Sequence, residues 1–295
     1  MSGKSLNKRT IMITGANSGI GKAAASQLAQ LEVRVILVSR NLSKGKAALE
    51  EISEKSHNKD IHLFTCDLSS QSSIRNMVKE YCNKFDRLDV LINNAATFDL
   101  AVRERKFTED NIELFFATNH LGPFLLTNLM LKTLRRSKPG RVINISSKGL
   151  LAHPFLRIDF DNLRGNNRGR FSPERAYYTA KLAQEIFTYS LADREDAESI
   201  TSNCVRVPSV RVSDERILHL PKLSQRMYRL KSKKAISPEE MAGTYVFLST
   251  DGKIYSITGR MFDEKKRIVK SSKYTCDKEV WKRLWESSAE LVGLL

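Results

Sequence analysis

Short apolar runs rich in β-branched residues recur along the chain and alternate with longer stretches of helical spacing. The runs lie at 10–15, 34–39, 61–66, 89–94, 141–146 and 200–207. They are continuously apolar rather than alternating, which is typical of strands buried on both faces of a parallel sheet. Six such runs in sequence therefore predict a covered, mostly parallel sheet.

The stretches between the runs predict the crossover helices of this sheet. They lie at 20–30, 43–54, 71–84, 108–136 and 173–195. Each is about as long as a right-handed connection between parallel strands requires. We therefore expect one doubly wound α/β domain, a Rossmann fold, over residues 1–295, closed by a packing helix at 278–292.

Charge indicates which partners the surface attracts, and the cysteines indicate whether a metal site or disulfides are expected. Lys and Arg number 49 against 33 acidic residues, so the formal net charge is +16 and the surface attracts anions. The basic residues are spread along the chain without a recognised nucleic-acid motif, so no nucleic-acid partner is expected. The four cysteines form no Cys-x-x-Cys pair, which indicates neither a metal site nor a disulfide framework and favours a reducing compartment.

The hydropathy of the chain predicts neither a targeting presequence nor a membrane-spanning helix. A short polar segment leads straight into the first apolar run, without an apolar or Arg-rich presequence. No stretch approaches the roughly 18 consecutive apolar residues of a membrane-spanning helix. We expect an unprocessed cytoplasmic protein whose membrane contact is at most peripheral.

A glycine-rich turn follows the first predicted strand and precedes a helix. Gly15, Gly19 and Gly21 have the spacing G-x-x-x-G-x-G. A strand, a glycine turn and a helix N-terminus leave backbone N–H groups facing an anion, so the turn predicts a pyrophosphate site. Such a turn taken alone is equally compatible with a tight bend that binds nothing.

The end of the second predicted strand bears on the choice of dinucleotide. Ser39 and Arg40 stand where a cofactor without a 2′-phosphate usually meets an acidic residue. The Arg40 guanidinium, with Lys44 nearby, suits a 2′-phosphate and favours NADP(H). The alternative is a solvated basic strand end.

The stretch AYYTAK at 176–181 sets two phenols ahead of a lysine. Ser172 and Pro173 predict the start of a helix, on which Tyr177 and Lys181 share a face. An ammonium group near a phenol, whose ordinary pKa is about 10, favours the phenolate. Tyr178 is expected to pack or to line a pocket.

Six short motifs, in this order along the chain, carry a family resemblance. They are TGANSGIG at 14–21, CDLS at 66–69, NNAA at 93–96, NHLGPF at 119–124, INISS at 143–147 and Tyr177-x-x-x-Lys181. Over residues 8–293 the chain resembles the short-chain dehydrogenase/reductase family. IDFDNL at 158–163 and the tryptophan-bearing C-terminal segment resemble its retinol dehydrogenase-like branch.

The resemblance implies catalytic roles for four residues. Tyr177 exchanges a proton with the substrate oxygen, and Lys181 also binds the nicotinamide ribose. Ser147 stabilises charge on the substrate oxygen, and Asn119 holds a water in a proton relay. Strand alternation alone leaves Ser146 and Ser147 as alternatives, and the motif selects Ser147.

The resemblance also implies a set of cofactor-binding residues and no metal ligands. The set is Gly15, Asn17, Ser18, Gly19, Ile20, Gly21, Ser39, Arg40, Asp67, Leu68, Asn93, Ala95, Tyr177, Lys181, Pro208, Val210 and Ser213. For Asn93, tying neighbouring strands together is a second role compatible with the first.

The loop after the sixth apolar run departs from the common family pattern. Pro208-Ser209-Val210 replaces Pro-Gly, and serine restricts the backbone if that position requires a positive φ. The family has a substrate lid after this loop, and the resemblance places it at 211–236. Its apolar and basic residues at 216–235 favour a lipophilic substrate and peripheral contact with anionic membrane, or form a solvated helix over the cleft.

These features predict an oxidoreductase that transfers a hydride between NADP(H) and a carbonyl or alcohol group of a lipophilic small molecule resembling a retinoid, a steroid or a lipid aldehyde. The alternative, prompted by the Pro-Ser loop, is a catalytically weak or inactive cofactor-binding regulatory protein. A homodimer through the helices at 108–136 and 173–195 is expected by analogy with the family.

Overall fold

The computed structural model describes residues 9–99, 102, 104–166, 169–211 and 235–295. The strands of this part of the chain are β1 Thr10–Thr14, β2 Arg34–Ser39, β3 Ile61–Thr65, β4 Val90–Asn93, β5 Gly140–Ser147, β6 Ile200–Val207, β7 Arg260–Phe262 and β8 Ile268–Val269. Its α-helices are α1 Gly19–Ala29, α2 Leu42–Ser56, α3 Gln71–Lys84, α4 Leu114–Phe116, α5 Gly122–Leu134, α6 Pro173–Arg194, α7 Pro238–Thr250 and α8 Lys278–Leu291.

The strands form one sheet in the order β3-β2-β1-β4-β5-β6-β7-β8. All neighbours pair in parallel except β7 and β8, which are antiparallel. The order reverses between β1 and β4, so the connections that leave these strands run to opposite faces and open a crevice at their carboxyl ends. The single doubly wound α/β domain predicted from the apolar runs is confirmed.

Helices cover both faces of the sheet. Side chains of α1, α2 and α7 pack on one face, and those of α3, α5, α6 and α8 pack on the other. Successive strand residues alternate between the two cores, with Ile11 and Ile13 in the first and Met12 in the second. This double burial explains why the strands are apolar without alternation.

The start of α6 follows the predicted capping signal. The Ser172 hydroxyl accepts a hydrogen bond from the Arg175 backbone N–H, and Pro173 occupies the first turn. Ser237 and Pro238 start α7 in the same way, with the Ser237 hydroxyl accepting from the Glu240 N–H. These caps fix the starts of the two helices.

The long helix predicted at 108–136 is wrong at its start. Phe107 and Glu113 form an antiparallel bridge, and helical structure begins only at Leu114 because the Glu113 carboxylate accepts from the N–H groups of Phe115 and Phe116. A π-helical turn at Ala117–Leu121 then separates α4 from α5. Helix α7 and strands β7 and β8 were not predicted, and of the predicted lid only 211, 235 and 236 lie among the described residues.

Helix α8 packs against the core formed by α5 and α6. The Trp285 ring contacts the Phe124 and Phe187 rings at centroid distances of 5.1 and 5.9 Å. The His120 imidazole shares a hydrogen bond of 2.9 Å with the Ser288 hydroxyl. Among the described residues, no helix is long and apolar enough to cross a lipid bilayer.

Packing of α8 gives a stability prediction. Leu284 is 2% exposed within the core, and Leu284→Ala should lower the free energy of unfolding by about 2–5 kcal/mol because it leaves a cavity. Urea unfolding followed by circular dichroism measures the loss. Lys282→Ala, at an exposed position of the same helix, is the control and should stay within about 0.5 kcal/mol of wild type. Equal losses in the two variants would contradict the packing of α8.

Candidate active site

The glycine turn after β1 has the backbone that its sequence predicts. Gly15 and Gly19 have φ values of +67° and +56°, which residues other than glycine rarely adopt. A Cβ at Gly15 would lie 2.9 Å from the Ala95 Cα, and one at Gly21 would lie 2.6 Å from the Gly15 carbonyl oxygen. Gly19 faces open space at the start of α1. The turn therefore presents bare backbone and a helix N-terminus to an anion, and its residues fit a dinucleotide pyrophosphate.

Hydrogen bonds from the segment after β4 and from helix α7 support this turn. The Asn94 amide donates to the Thr14 carbonyl oxygen at 2.8 Å, and its oxygen accepts from the Tyr245 hydroxyl at 3.3 Å. The Thr14 hydroxyl in turn accepts from the Ala95 N–H at 2.9 Å. The segment after β4 and helix α7 thus hold the turn in place. Sequence reasoning missed the role of Tyr245, because an aromatic residue inside a helix carries no signal of this kind.

The neighbouring strand ends contribute charged groups. A guanidinium nitrogen of Arg40 lies 4.0 Å from a carboxylate oxygen of Asp67, and the Arg40 side chain is 67% exposed. The other Asp67 oxygen accepts from the Ser69 N–H and hydroxyl. Ser39 is buried, and its hydroxyl donates to the Asn41 carbonyl. Arg40, not Ser39, therefore offers its side chain at this edge.

Lys181 lies inside the protein on α6, one turn after Tyr177. Its ammonium donates to the Ile145 carbonyl oxygen at 2.8 Å and lies 5.8 Å from the centre of the Tyr177 ring. Burial lowers the pKa of Lys181 to about 8, so the ammonium form still predominates at neutral pH. A buried positive charge therefore lies beside the Tyr177 ring.

Aromatic rings flank the two tyrosines. The Phe98 ring meets the Tyr177 ring edge-on at a centroid distance of 4.5 Å. On the other side, Tyr178 packs against His153 at 4.5 Å and against Gly149, where a Cβ would overlap its hydroxyl. Tyr178 thus packs against the segment that follows β5. Phe98 was not singled out from the sequence, because an isolated aromatic residue in a loop has no motif.

The two serines at the end of β5 have different surroundings. The Ser146 hydroxyl is buried and donates to a carboxylate oxygen of Glu185 at 2.8 Å. Ser147 is half-buried, and its hydroxyl accepts from the Gly149 N–H at 3.2 Å. Ser147 is therefore the more accessible of the two.

Asn119 lies in the π-helical turn and is buried. Its side-chain oxygen accepts from the Thr97 N–H at 2.7 Å, and its amide donates to the Thr97 carbonyl at 2.9 Å. This pair of bonds holds the loop after β4, including Phe98, against the start of α5. The role of Thr97 was not predicted, because both of its contacts are through the backbone.

The remaining predicted cofactor residues line or support the same edge of the sheet. The Asn93 side chain donates to Thr127 and Asn144 in the core, so any cofactor contact of Asn93 would come from its main chain. Asn17 and Ser18 are half-buried in the turn, Ile20 is half-buried at the start of α1, and Leu68 is buried.

After β6, the backbone at Ser209–Arg211 pairs with Ile236. Ser209 is not among the described residues with positive φ, so serine imposes no strain at this position. Ser213 lies outside the described residues.

Comparison with known proteins identifies the family of this chain. A family model for short chain dehydrogenase matches residues 9–155. Human retinol dehydrogenase 14 is 33% identical over 98% of this chain and 88% of its own length, and human retinol dehydrogenase 13 is 35% identical over 97% and 85%. The crystal structure of an uncharacterised protein from Mycobacterium paratuberculosis is 26% identical, with a TM-score of 0.70 over 99% of this chain and 97% of that one. The chain belongs to the short chain dehydrogenase family of oxidoreductases, in its retinol dehydrogenase-like branch.

Proposed function

We propose that this protein is an NADP(H)-dependent oxidoreductase that interconverts a carbonyl and an alcohol on a lipophilic small molecule. One observation carries the proposal: a phenol, Tyr177, lies one helical turn from the buried ammonium of Lys181. The Ser147 hydroxyl at the end of β5 and the glycine turn after β1 lie at the same, carboxyl edge of the sheet.

The proposed reaction divides the work among these groups. A nicotinamide dinucleotide bound at the glycine turn supplies the hydride for reduction and accepts it for oxidation. Tyr177 gives its proton to the substrate oxygen in reduction and takes it back in oxidation. Lys181 stabilises the resulting phenolate by its charge, and the Ser147 hydroxyl donates to the substrate oxygen.

Preference for NADP(H) rests on the end of β2. Arg40 is mostly exposed, and its ion pair with Asp67 is long. Ser39 stands where a carboxylate would otherwise accept from the ribose hydroxyl, so an unfavourable contact with a 2′-phosphate is avoided. An exposed arginine fork suits the phosphate.

A lipophilic substrate is supported by exposed apolar side chains beside Tyr177 and in the segment that follows Ser147. Phe98 is 46% exposed beside Tyr177, and Leu151 and Phe155, in the segment after Ser147, are 60% and 88% exposed. Exposed apolar groups in this segment also support peripheral contact with a membrane surface. The names of the retinol dehydrogenases match this substrate class.

The central test is the pair of tyrosine variants Tyr177→Phe and Tyr178→Phe. NADPH oxidation is measured against a panel of retinoid, steroid and lipid aldehydes and ketones. Tyr177→Phe should lower kcat by about 10²- to 10⁴-fold because it removes the proton donor, with NADPH affinity within about twofold of wild type. Tyr178→Phe is the matched control and should stay within about tenfold. Wild-type protein that binds NADPH but reduces nothing on the panel would favour the regulatory alternative.

The charge of Lys181 gives a pH prediction. The pKa of Lys181 is about 8 in the folded protein, below its usual 10.5, so between these pH values the native state binds fewer protons than the unfolded state. Stability due to this group is therefore lowest below pH 8 and rises with pH up to about 10.5. Relative to Lys181→Met, wild type should gain about 3 kcal/mol over this window, as measured by urea unfolding. For the exposed control Lys282→Met, the difference in unfolding free energy from wild type should not change with pH. A pH-independent difference for Lys181→Met as well would contradict the burial of the Lys181 ammonium.

Arg40 tests the choice of dinucleotide. Arg40→Ala should weaken NADPH binding about 10- to 100-fold and change NADH binding little, because only NADPH carries the 2′-phosphate. Fluorescence titration of both cofactors measures the change. Arg136→Ala, an exposed arginine at the opposite edge of the sheet, is the control. An equal loss of affinity for both cofactors in Arg40→Ala would count against the proposed NADPH preference.

A further inference from the structure

A buried carboxyl group adjoins the proposed catalytic residues without touching the reacting atoms. Glu185 lies on α6, two turns after Tyr177 and one after Lys181, and is 6% exposed. One of its carboxylate oxygens accepts from the Ser146 hydroxyl at 2.8 Å. Burying a carboxyl group at the centre of a domain is costly, so its contacts must offset that cost.

The contacts join two successive residues of β5 to α6. The Ile145 carbonyl accepts from the Lys181 ammonium, and the Ser146 hydroxyl donates to Glu185 while lying 3.4 Å from the Lys181 carbonyl oxygen. The next residue of β5 is Ser147. Two successive residues of β5, Ile145 and Ser146, thus bind α6, which carries Tyr177, just before Ser147.

The charge on Glu185 is set by groups from three elements. Burial raises its pKa to about 7, while the Ser146 hydrogen bond from β5 and the Arg206 guanidinium on β6 favour the carboxylate. Cys204 on β6 and Tyr189 on α6 also face it, and burial raises the pKa of each. A carboxylate accepts a stronger hydrogen bond than a neutral carboxyl does, so the contact with Ser146 strengthens as the pH rises.

We propose that Glu185 is a positioning residue that holds Ser147 at its working distance from Tyr177, by tying Ser146 of β5 to α6. The inference rests on the proposed function. Glu185 acts through Ser146 and does not exchange a proton with substrate. Its ionised form gives the tighter tie and the faster reaction.

Glu185→Gln and Glu185→Leu separate the charge from the contact. Glutamine keeps a neutral acceptor, so the ratio of wild-type to Glu185→Gln kcat should be about 1 at pH 6 and rise to about 3–10 at pH 8. Leucine removes the acceptor at every pH, so Glu185→Leu should lower kcat about tenfold at pH 6 and by a further 3- to 10-fold at pH 8, with KM and NADPH affinity within about twofold. A kcat ratio that does not change with pH would contradict the role of the charge.

A double-mutant cycle tests the contact itself. Ser146→Ala should lower kcat about as much as Glu185→Leu, and the double variant should be no slower than either, because all three lose the same tie. Tyr81→Phe is the control: it removes a buried hydrogen bond, to the Arg87 carbonyl, from α3 and should leave kcat unchanged. Additive losses in the cycle, or a kcat loss in Glu185→Leu no larger than in Tyr81→Phe, would overturn the proposal.

Failure of the proposed function would be seen separately. Wild-type protein that binds NADPH but reduces no carbonyl compound would contradict the enzymatic reaction and, with it, any positioning role for Glu185. The same cycle measured as free energy of unfolding reports the contact without turnover. If the unfolding free energies of the Ser146 and Glu185 variants are non-additive but the protein is inactive, the contact exists and the proposed reaction is wrong.

Discussion

The buried ammonium of Lys181 is the constraint on which the site depends. Taking this cation out of water is unfavourable, as the lowering of its pKa to about 8 indicates, and the hydrogen bond to the Ile145 carbonyl offsets part of the cost. That bond can form only if α6 lies directly on the end of β5. Because Tyr177 precedes Lys181 by one turn and Ser147 follows Ile145 by two residues, the same contact brings the phenol and the serine to one edge of the sheet.

The glycine turn and the catalytic residues are connected through the segment after β4. Asn94 holds the turn from below through the Thr14 carbonyl, and Thr97, three residues later, is fixed by both side-chain groups of Asn119. Phe98 then packs on the Tyr177 ring. One short segment therefore sets the position of the turn relative to the phenol. The reversal of strand order between β1 and β4 makes this possible, because it leaves the segment room at the crevice.

The sequence predicted the features that depend on local patterns of residues, namely the strands and the starts of helices with a clear capping signal. Continuous apolar runs located six strands, and Ser172 with Pro173 located the start of α6, because each signal lies within a few residues of the feature that it specifies. The start of α4 was mispredicted because the Glu113 side chain caps the helix from within an apparently helical stretch.

Contacts across the fold could not be predicted. The residue pairs Tyr245 with Asn94 and Ser146 with Glu185 lie 151 and 39 positions apart. Neither pair has a spacing that a periodic pattern or a motif records. Strand alternation likewise left Ser146 and Ser147 as alternatives without the family motif, because the contact of Ser146 with Glu185 on α6 is a tertiary one.

A polar seam crosses the core on the α6 side of the sheet. Asn93 donates to Asn144, Asn144 donates to the Thr188 hydroxyl, and that hydroxyl donates to the Gln184 carbonyl one turn earlier. Apolar side chains of similar size would avoid the cost of burying these groups. The hydrogen bonds are directional, however, so the seam favours this register of β4, β5 and α6 more strongly than apolar contacts of the same size would. Reacting groups must be held to within about 0.5 Å, so a core that gives up some stability for a single register suits a catalytic site.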